Sequence, residues 1–418
     1  MSDKTVEEIV MHGAIRLDSP QFGVMDPLSD ETHPQEYYDA IKQRFAEERE
    51  IRMNYRPEGA AQYDTELQGE LAKYDDDPHG GEITPREPLT DTVECLFIGG
   101  GFSALLTSAR LREIGVESIR IVERGADVGG TWYWNRYPGI ACDVPSYDYL
   151  PLLDEMNYVP KHRYARGEEI YAHCQSIAEK YDLYKLAVFQ TTVTATVWNK
   201  EDQLWHITTN RGDHMKARFV ICANGILSKP KLTKIKGVTE ITEKGVIVDG
   251  QEYELDLLIF ATGFEIQKTG IYNKIIGDNG VELNDKYTDG IRTLLGIHSK
   301  GYPNLFIMNG YQASFQFNLT DMMQSQGGHI AACIDYARKN DYQSLDVKQE
   351  SEEFWVQEVI KFRGKTDRNK QCTPGYYNFE GADNRRQDGT YNGGFVQYMA
   401  EMDSVEKDLE KHFSFAKS

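Results

Sequence analysis

Residues 93–104 read VECLFIGGGFSA, and this stretch decides the fold of the chain. Its first half, 93–98, is a short and nearly continuous apolar run, which predicts a parallel strand covered on both faces. Three glycines follow, and then a helical stretch up to Gly115, a residue type suited to the position just after a helix. A second short strand at 119–123 completes a β-α-β unit, so the sequence predicts an α/β fold with a parallel sheet.

The glycines after the first strand form a dinucleotide-binding motif. Gly99, Gly101 and Ala104 satisfy the pattern G-x-G-x-x-G/A, in which the glycines allow a tight turn and let backbone amides approach a pyrophosphate. Glu123 ends the second strand 19 positions beyond Ala104, where an acid can hold ribose hydroxyls. An ordinary glycine-rich turn is the alternative, and the acid at this spacing argues against it. A glutamate with no adjacent arginine cluster suits FAD or NAD better than NADP.

Composition excludes several classes of partner. The 418 residues include 46 Lys and Arg against 66 Asp and Glu, a formal charge of −20, which argues against nucleic acid or an anionic membrane as partner. No apolar stretch approaches the ~20 residues of a membrane helix. The start MSDKTVEEIV lacks the features of a signal peptide, and the six cysteines lie far apart, so we expect a cytoplasmic protein with reduced thiols.

The pattern along the chain divides it into four segments. Residues 1–90 form an N-terminal extension with a predicted helix at 35–52 and an acidic run at Asp75 that resembles a solvated loop. We expect a first part of the dinucleotide-binding domain at 91–240, a second part at 241–340, and a C-terminal tail at 341–418. Further predicted elements are helices at 168–181 and 321–338, a hairpin at 193–209, and buried strands at 219–223, 255–262 and 305–308.

Three further strings are distinctive. Residues 129–139 read GGTWYWNRYPG, 261–265 read ATGFE, and 301–306 read GYPNLF. A glycine pair just past the acid lets the chain run beside the rest of a long dinucleotide, although the aromatic residues could be plain core.

On these strings the chain resembles type I Baeyer–Villiger monooxygenases, flavoenzymes of the flavin-containing monooxygenase group. The likeness extends from about residue 90 to 400, and the N-terminal extension and the segment 373–378 resemble the subgroup that acts on bulky cyclic ketones. It implies a Rossmann-like domain of the two-dinucleotide-binding flavoprotein type, with non-covalent FAD. It also implies cofactor contacts from Gly99, Gly101, Phe102, Ser103, Ala104, Glu123, Arg124, Gly130, Thr131, Trp132, Asp143, Tyr149, Val193, Ala223 and Gly263. Phe317 and Asn318 are the expected substrate-pocket residues.

The chain departs from this family in one respect. Family members carry a second nucleotide-binding domain, for NADPH, inserted into the FAD domain, yet no second G-x-G-x-x-G follows residue 104. The junction near Glu240 and Ile241 therefore resembles a deletion of that domain. NADP binding is not expected, and an outside reductant is required. The resemblance makes Asp143 the catalytic residue, but the arginine that pairs with it in the family is absent, and Arg292 matches a different segment.

Two classes of function follow from this sequence. The chain is either a minimised FAD-dependent oxygenase or oxidase acting on a small ketone, or an FAD-binding scaffold without efficient turnover. The loss of its cation predicts a raised pKa for Asp143 if that residue is buried. His329 and Cys333 lie four residues apart on a predicted helix, which could supply two metal ligands, but ordinary helix packing is the favoured interpretation and no metal is expected. The oligomeric state is left open.

Overall fold

The computed structural model describes residues 34–54, 63–64, 72–73, 75–227, 229–230, 232–233, 238–259, 261, 263–264, 273–314, 318–362 and 387–417. The chain divides into two compact units, Met1–Ala60 and Ala61–Ser418. The described part of the first unit is helix α1, Gln35–Asn54, which agrees with the predicted helix at 35–52. Charged and polar side chains four residues apart support it, among them the ion pair of Arg44 with Glu48 at 3.1 Å.

The second unit alternates strands and helices. Its strands are β1 Tyr63–Asp64, β2 Thr92–Ile98, β3 Ile119–Val122, β4 Ala187–Val188, β5 Val193–Asn199, β6 Leu204–Thr209, β7 His214–Cys222, β8 Leu232–Thr233, β9 Val238–Ile241, β10 Gly245–Val248, β11 Gln251–Glu254, β12 Lys274–Ile276, β13 Leu305–Ile307, β14 Ser344–Val347 and β15 Phe413–Ala416. Its helices are α2 Phe102–Glu113, α3 Thr131–Trp134, α4 Ser146–Tyr149, α5 Leu153–Met156, α6 Gly167–Lys180, a 3₁₀ turn Leu183–Leu186, α7 Leu283–Lys286, α8 Leu319–Lys339, α9 Gln349–Phe362, α10 Phe395–Lys407 and α11 Leu409–His412.

The central sheet has eight strands. Their order is β12-β5-β6-β7-β2-β3-β4, and β13 pairs with β7. Strand β2 runs parallel to β3, with Phe97 opposite Ile121, and parallel to β7, with Phe97 opposite Ile221. The predicted hairpin is present as antiparallel β5 and β6. The β-α-β unit therefore forms the centre of the sheet, as the motif predicts.

The sheet is covered on both faces. Phe97 belongs to a large apolar cluster that includes helices α2 and α8, whereas Leu96 and Ile98 belong to a second cluster on the opposite face. Helices α2 and α8 lie close together because Gly327 has no side chain: a Cβ there would be 3.0 Å from the Thr107 hydroxyl. Alternating residues of β2 thus enter two separate cores, which explains its nearly continuous apolar sequence.

Helices α9 and α10 pack into the apolar cluster that contains Phe97. The indole of Trp355 on α9 donates to the carbonyl of Gln312 at 3.0 Å, and the Tyr398 hydroxyl on α10 donates to the carbonyl of Leu295 at 2.7 Å. Both side chains are fully buried. Among the described residues, no helix is both long and apolar enough to cross a membrane.

The prediction of a buried strand at 255–262 is wrong for its described part. Strand β11 ends at Glu254, and residues 255–259 form no strand. The side chains of Leu257 and Ile259 are both 74% exposed. A continuous apolar run becomes a buried strand only where neighbouring strands and a covering layer exist, and within the described residues neither flanks this run. Phe260 and Thr262 lie outside the described residues.

Candidate functional site

The glycine-rich turn between β2 and α2 adopts a conformation that needs glycine. Gly99 has φ of +105°, and a Cβ there would lie 2.6 Å from the carbonyl oxygen of Ala223. Its amide donates to the carbonyl of Val122 at 2.8 Å, which ties the turn to the end of β3. The turn therefore lies against the carboxyl ends of β3 and β7, the edge where α/β proteins bind ligands.

A second glycine pair packs directly on the first. The amide of Gly129 donates to the carbonyl of Gly100 at 2.9 Å. A Cβ on Gly130 would lie only 2.8 Å from the Cα of Gly101, and Gly130 has φ of +53°. The pair predicted to run beside a long dinucleotide thus meets the glycine-rich turn backbone to backbone, without side chains between them.

The buried carboxylate of Glu123 holds the glycine-rich turn by hydrogen bonds. One carboxylate oxygen accepts the amide of Gly100 and the other accepts the amide of Gly125, each at 2.6 Å. The side chain is buried, and burial raises the pKa of Glu123 above its ordinary value, an effect that the two amide donors only partly offset. Because each carboxylate oxygen can accept two hydrogen bonds and here accepts one, Glu123 can still accept a hydrogen bond from a ligand hydroxyl.

These groups lie in a cleft of about 680 Å³. Most of the sequence-predicted cofactor residues line it: Gly99, Gly101, Phe102, Ser103, Glu123, Arg124, Gly130, Thr131, Trp132, Tyr149, Val193 and Ala223. The structure therefore brings together residues from five separate segments of the chain.

The other predicted site residues that the structure describes do not line the cleft. Ala104 is fully buried, as expected for a small residue that lets helix and strand pack closely. Asp143 is exposed on a loop, so the condition of burial set for it above is not met. Gly263 is exposed, with φ of +82°, and Phe317 lies outside the described residues.

Asn318 is a helix cap and not a pocket wall. Its side-chain oxygen accepts the amide of Thr320 at 2.9 Å, and its amide group donates to the carbonyl of Asp148. Both polar groups of this side chain therefore have partners within the protein, and the residue is 2% exposed. The next residue, Leu319, and Met323 one turn later line the cleft instead.

An aromatic group forms part of the cleft wall. The indole of Trp132 donates to the hydroxyl of Tyr149 at 3.1 Å, and the rings of Phe102 and Tyr149 meet edge to face at 6.0 Å. Burial raises the pKa of Tyr149, so its hydroxyl keeps its proton at neutral pH. This wall offers apolar surface and one hydroxyl to a planar ligand.

Sequence reasoning missed a further set of lining residues. They are Asp75, Asp76, Asp77, Gly81, Ile83, Gln190, Thr191, Thr192, Asn210, Asn224, Lys229, Asn273, Leu319 and Met323. The run at Asp75 is a loop in which Asp75 and Asp76 are exposed, as predicted, but the acids at 75–77 also form part of the cleft wall, which the sequence did not show. Their partners lie some 50 residues away, so no local pattern shows the role.

The predicted pair of His329 and Cys333 belongs to a buried cluster with His298. Ligand-type atoms of the three lie within 4.8 Å of one another. Both ring nitrogens of His329 already have partners: Nδ1 meets Glu406 at 2.9 Å and Nε2 meets the ring of His298 at 2.9 Å. Burial lowers the pKa of His329, but Cys333 and Glu406 outweigh it and raise that pKa to about 10. Hydrogen bonding between α8 and α10 therefore accounts for this cluster.

The fold and the cleft define a dinucleotide-binding α/β protein. A family model for an NAD(P)-binding Rossmann-like domain matches residues 98–152, the segment that holds both glycine pairs. A Baeyer–Villiger monooxygenase of Streptomyces coelicolor is 47% identical over 198 residues, which are 47% of this chain and 32% of that protein. The pentalenolactone D synthase of Streptomyces exfoliatus is 26% identical over an alignment of 545 residues that spans 79% of this chain and 93% of that protein.

Solved structures agree on the fold. The polycyclic ketone monooxygenase from the thermophilic fungus Thermothelomyces thermophila superposes with a TM-score of 0.82 and 21% identity, over 91% of this chain and 99% of that one. An oxidised steroid monooxygenase bound to NADP superposes with a TM-score of 0.69. The chain thus has a Rossmann-like α/β fold matched in flavin monooxygenase structures, and its relatives include Baeyer–Villiger monooxygenases.

Proposed function

We propose that this chain is an FAD-binding flavoprotein of the Baeyer–Villiger monooxygenase type that lacks a nicotinamide domain and depends on an outside reductant. The observation that carries the proposal is the backbone contact between the Gly99–Gly101 turn and the Gly129–Gly130 pair, with Glu123 bonded to both segments that follow the strands. This arrangement suits the pyrophosphate and the adenosine ribose of a long dinucleotide.

The size and lining of the cleft support FAD as that dinucleotide. The glycine-rich turn and the aromatic wall of Trp132 and Tyr149 line the same cleft, and an isoalloxazine ring beside that wall would meet apolar surface. Gly99, Gly101, Glu123 and Trp132 would hold the cofactor without a covalent bond. When bound, FAD supplies electron transfer and the activation of oxygen.

Two observations support the absence of a second nucleotide domain. The alignment with the Streptomyces exfoliatus relative is longer than this chain, so the relative carries residues that have no counterpart here. Residues 238–254 form only a three-stranded antiparallel sheet, β9-β10-β11, which offers no glycine-rich turn after a parallel strand.

The absence of the second nucleotide domain determines which reaction with oxygen we expect. The family resemblance pairs Asp143 with an arginine from the missing region, and here Asp143 is exposed. Arg292 is engaged elsewhere, within 3.7 Å of the Glu352 carboxylate. Without a cation over the reacting oxygen, stabilisation of negative charge falls by about 2.7–4 kcal/mol, roughly a hundred- to a thousandfold in rate. Oxygen consumed by the reduced protein should therefore emerge mainly as hydrogen peroxide.

The test separates oxygenase from oxidase. The flavin is reduced by light without oxygen, and oxygen is then admitted together with a bulky cyclic ketone. We expect a peroxide yield close to the oxygen consumed and little ester or lactone. A lactone yield that matches the flavin turned over would contradict the proposed loss of oxygenation.

A scaffold without turnover is the second candidate, favoured by the exposed position of Asp143 and by the sequence, in which the arginine that pairs with this residue in the family has no counterpart. It predicts bound FAD but no sustained oxygen consumption with a free reductant. Steady oxygen uptake over many cycles would exclude the scaffold.

A further inference from the structure

We propose that residues 75–86, named here the acidic strap, hold the adenosine end of the cofactor and set the rate at which FAD leaves. This inference rests on the proposed function, since it takes FAD as the ligand. It extends that function by giving the N-terminal extension a role in cofactor retention.

The strap lies at one end of the cleft. Asp75, Asp76 and Asp77 line it together with Glu123 and Arg124. In Rossmann folds the acid at the end of the second strand meets the adenosine ribose, so this end of the cleft is where an adenosine would lie. The strap therefore lies beside the position expected for the adenosine.

The front of the strap is fixed to the segment that follows Glu123. Asp77 accepts a hydrogen bond from the hydroxyl of Tyr133 at 2.6 Å and another from the amide of Ala126 at 3.1 Å. Asp75 forms an ion pair with Arg124 at 2.9 Å. A solvated linker has no need of such partners, and these contacts hold the acids against the cleft.

The rear of the strap is fixed to the sheet. Arg86 donates two hydrogen bonds to the carboxylate of Asp213, at 2.6 and 2.7 Å, in a forked pair. Asp213 is fully buried, and it also accepts the amide of Leu89 and the hydroxyl of Thr209. Burial alone would raise the pKa of Asp213, but these donors outweigh it and hold that pKa well below its ordinary value.

The middle of the strap is held as well. The side-chain amide of Gln190 donates to the carbonyl of Gly80 at 3.0 Å. A ligand whose adenosine lies under a segment fixed at three points must wait for those contacts to open before it dissociates. Retention by the strap therefore shows as a slow release rate.

The negative charge of the strap also discriminates between ligands. Carboxylates at Asp75, Asp76 and Asp77 face the same space as Glu123. Ribose hydroxyls donate to such groups, whereas a phosphate on the ribose would be repelled by them. The strap thus favours an adenosine without a 2′-phosphate.

The release rate of FAD tests this proposal. The FAD-loaded chain is diluted, and the rise of flavin fluorescence is followed at a temperature well below unfolding. Asp77→Ala removes the acceptor for Tyr133 and Ala126 and should speed release at least about tenfold, since each lost hydrogen bond is worth ~1 kcal/mol. The matched control, Asp403→Asn, removes one exposed negative charge on α10 and should leave the rate unchanged.

A second variant tests the strap at its rear anchor. Arg86→Gln combined with Asp213→Asn removes the forked pair without leaving a buried charge, and neither residue lines the cleft. It should also speed release, and thermolysin, which cuts before apolar residues such as Ile83, should then cut the strap even with FAD bound. Release rates equal to that of the unchanged chain in both variants would overturn the proposal while the proposed function stands. A chain that takes up no FAD would overturn both.

Discussion

Two apolar runs of this chain have similar sequences and opposite environments. In 93–98, Leu96 and Phe97 are fully buried, whereas in 255–259 the side chains of Leu257 and Ile259 are about three-quarters exposed. The first run has β3 and β7 on its two sides and a core on each face. The second has no paired strand among the described residues. An apolar pattern therefore indicates side chains that are more stable when buried. Whether they are buried depends on the strands and helices that the rest of the chain places beside them.

Truncation of one large side chain in each run gives the largest contrast. Phe97→Ala should lower the free energy of unfolding by about 3–5 kcal/mol, because it opens a cavity in a packed core. Leu257→Ala should change it by less than about 0.5 kcal/mol, because the side chain is already solvated. Urea unfolding of both variants measures the difference. Comparable losses would mean that residue 257 is covered in solution and that the two runs do not differ.

Glycines in the two regions provide the next contrast. Gly99→Ala places a Cβ 2.6 Å from a carbonyl oxygen in a positive-φ conformation, and should cost about 2–5 kcal/mol and prevent FAD binding. Gly250, in the turn between β10 and β11, also has positive φ but nothing within 4 Å of an added Cβ. Gly250→Ala should cost only about 1 kcal/mol and keep the flavin. A yellow Gly99→Ala protein would contradict the assigned pyrophosphate site.

The sequence predicts the first region well because its determinants are local. The turn at Gly99, the acid at Glu123 and the hairpin at 193–209 each depend on residues close in the chain. The contacts of the strap and the contact of Asn318 with Asp148 could not be predicted, since Asp77 is paired with Tyr133 and Asn318 with Asp148, residues far apart in sequence. The strand prediction at 255–262 failed because the same apolar pattern fits a covered strand and an uncovered segment.

The exposed run also predicts surface behaviour. Leu257→Ser combined with Ile259→Ser should reduce the binding of an apolar fluorescent dye, because exposed apolar patches attract such probes. Stability should stay within about 0.5 kcal/mol. As a control, Val159→Ser removes one exposed apolar side chain elsewhere and should have little effect on dye binding. Undiminished dye fluorescence in the double variant would place the apolar surface elsewhere.

The smallest expected effect is on pH dependence. Because burial raises the pKa of Glu123 above its ordinary 4.5, the folded chain holds this proton more tightly than the unfolded chain. Its contribution to stability is therefore complete below about pH 4.5 and is lost as pH rises through the folded-state value. Glu123→Gln should remove this decline from the unfolding free energy measured against pH. Glu254→Gln, an exposed acid next to the second run, should leave the curve unchanged; the same curve for both variants would exclude this role for Glu123.

The most direct test of the central claim, an FAD protein without a nicotinamide domain, is anaerobic stopped-flow mixing with NADPH. The account predicts a yellow protein whose flavin is bleached fully by dithionite but only slowly by NADPH, at a rate that rises linearly with NADPH concentration. Bleaching that saturates at micromolar NADPH would show a nicotinamide site and contradict the account. So would a chain that stays colourless after incubation with FAD.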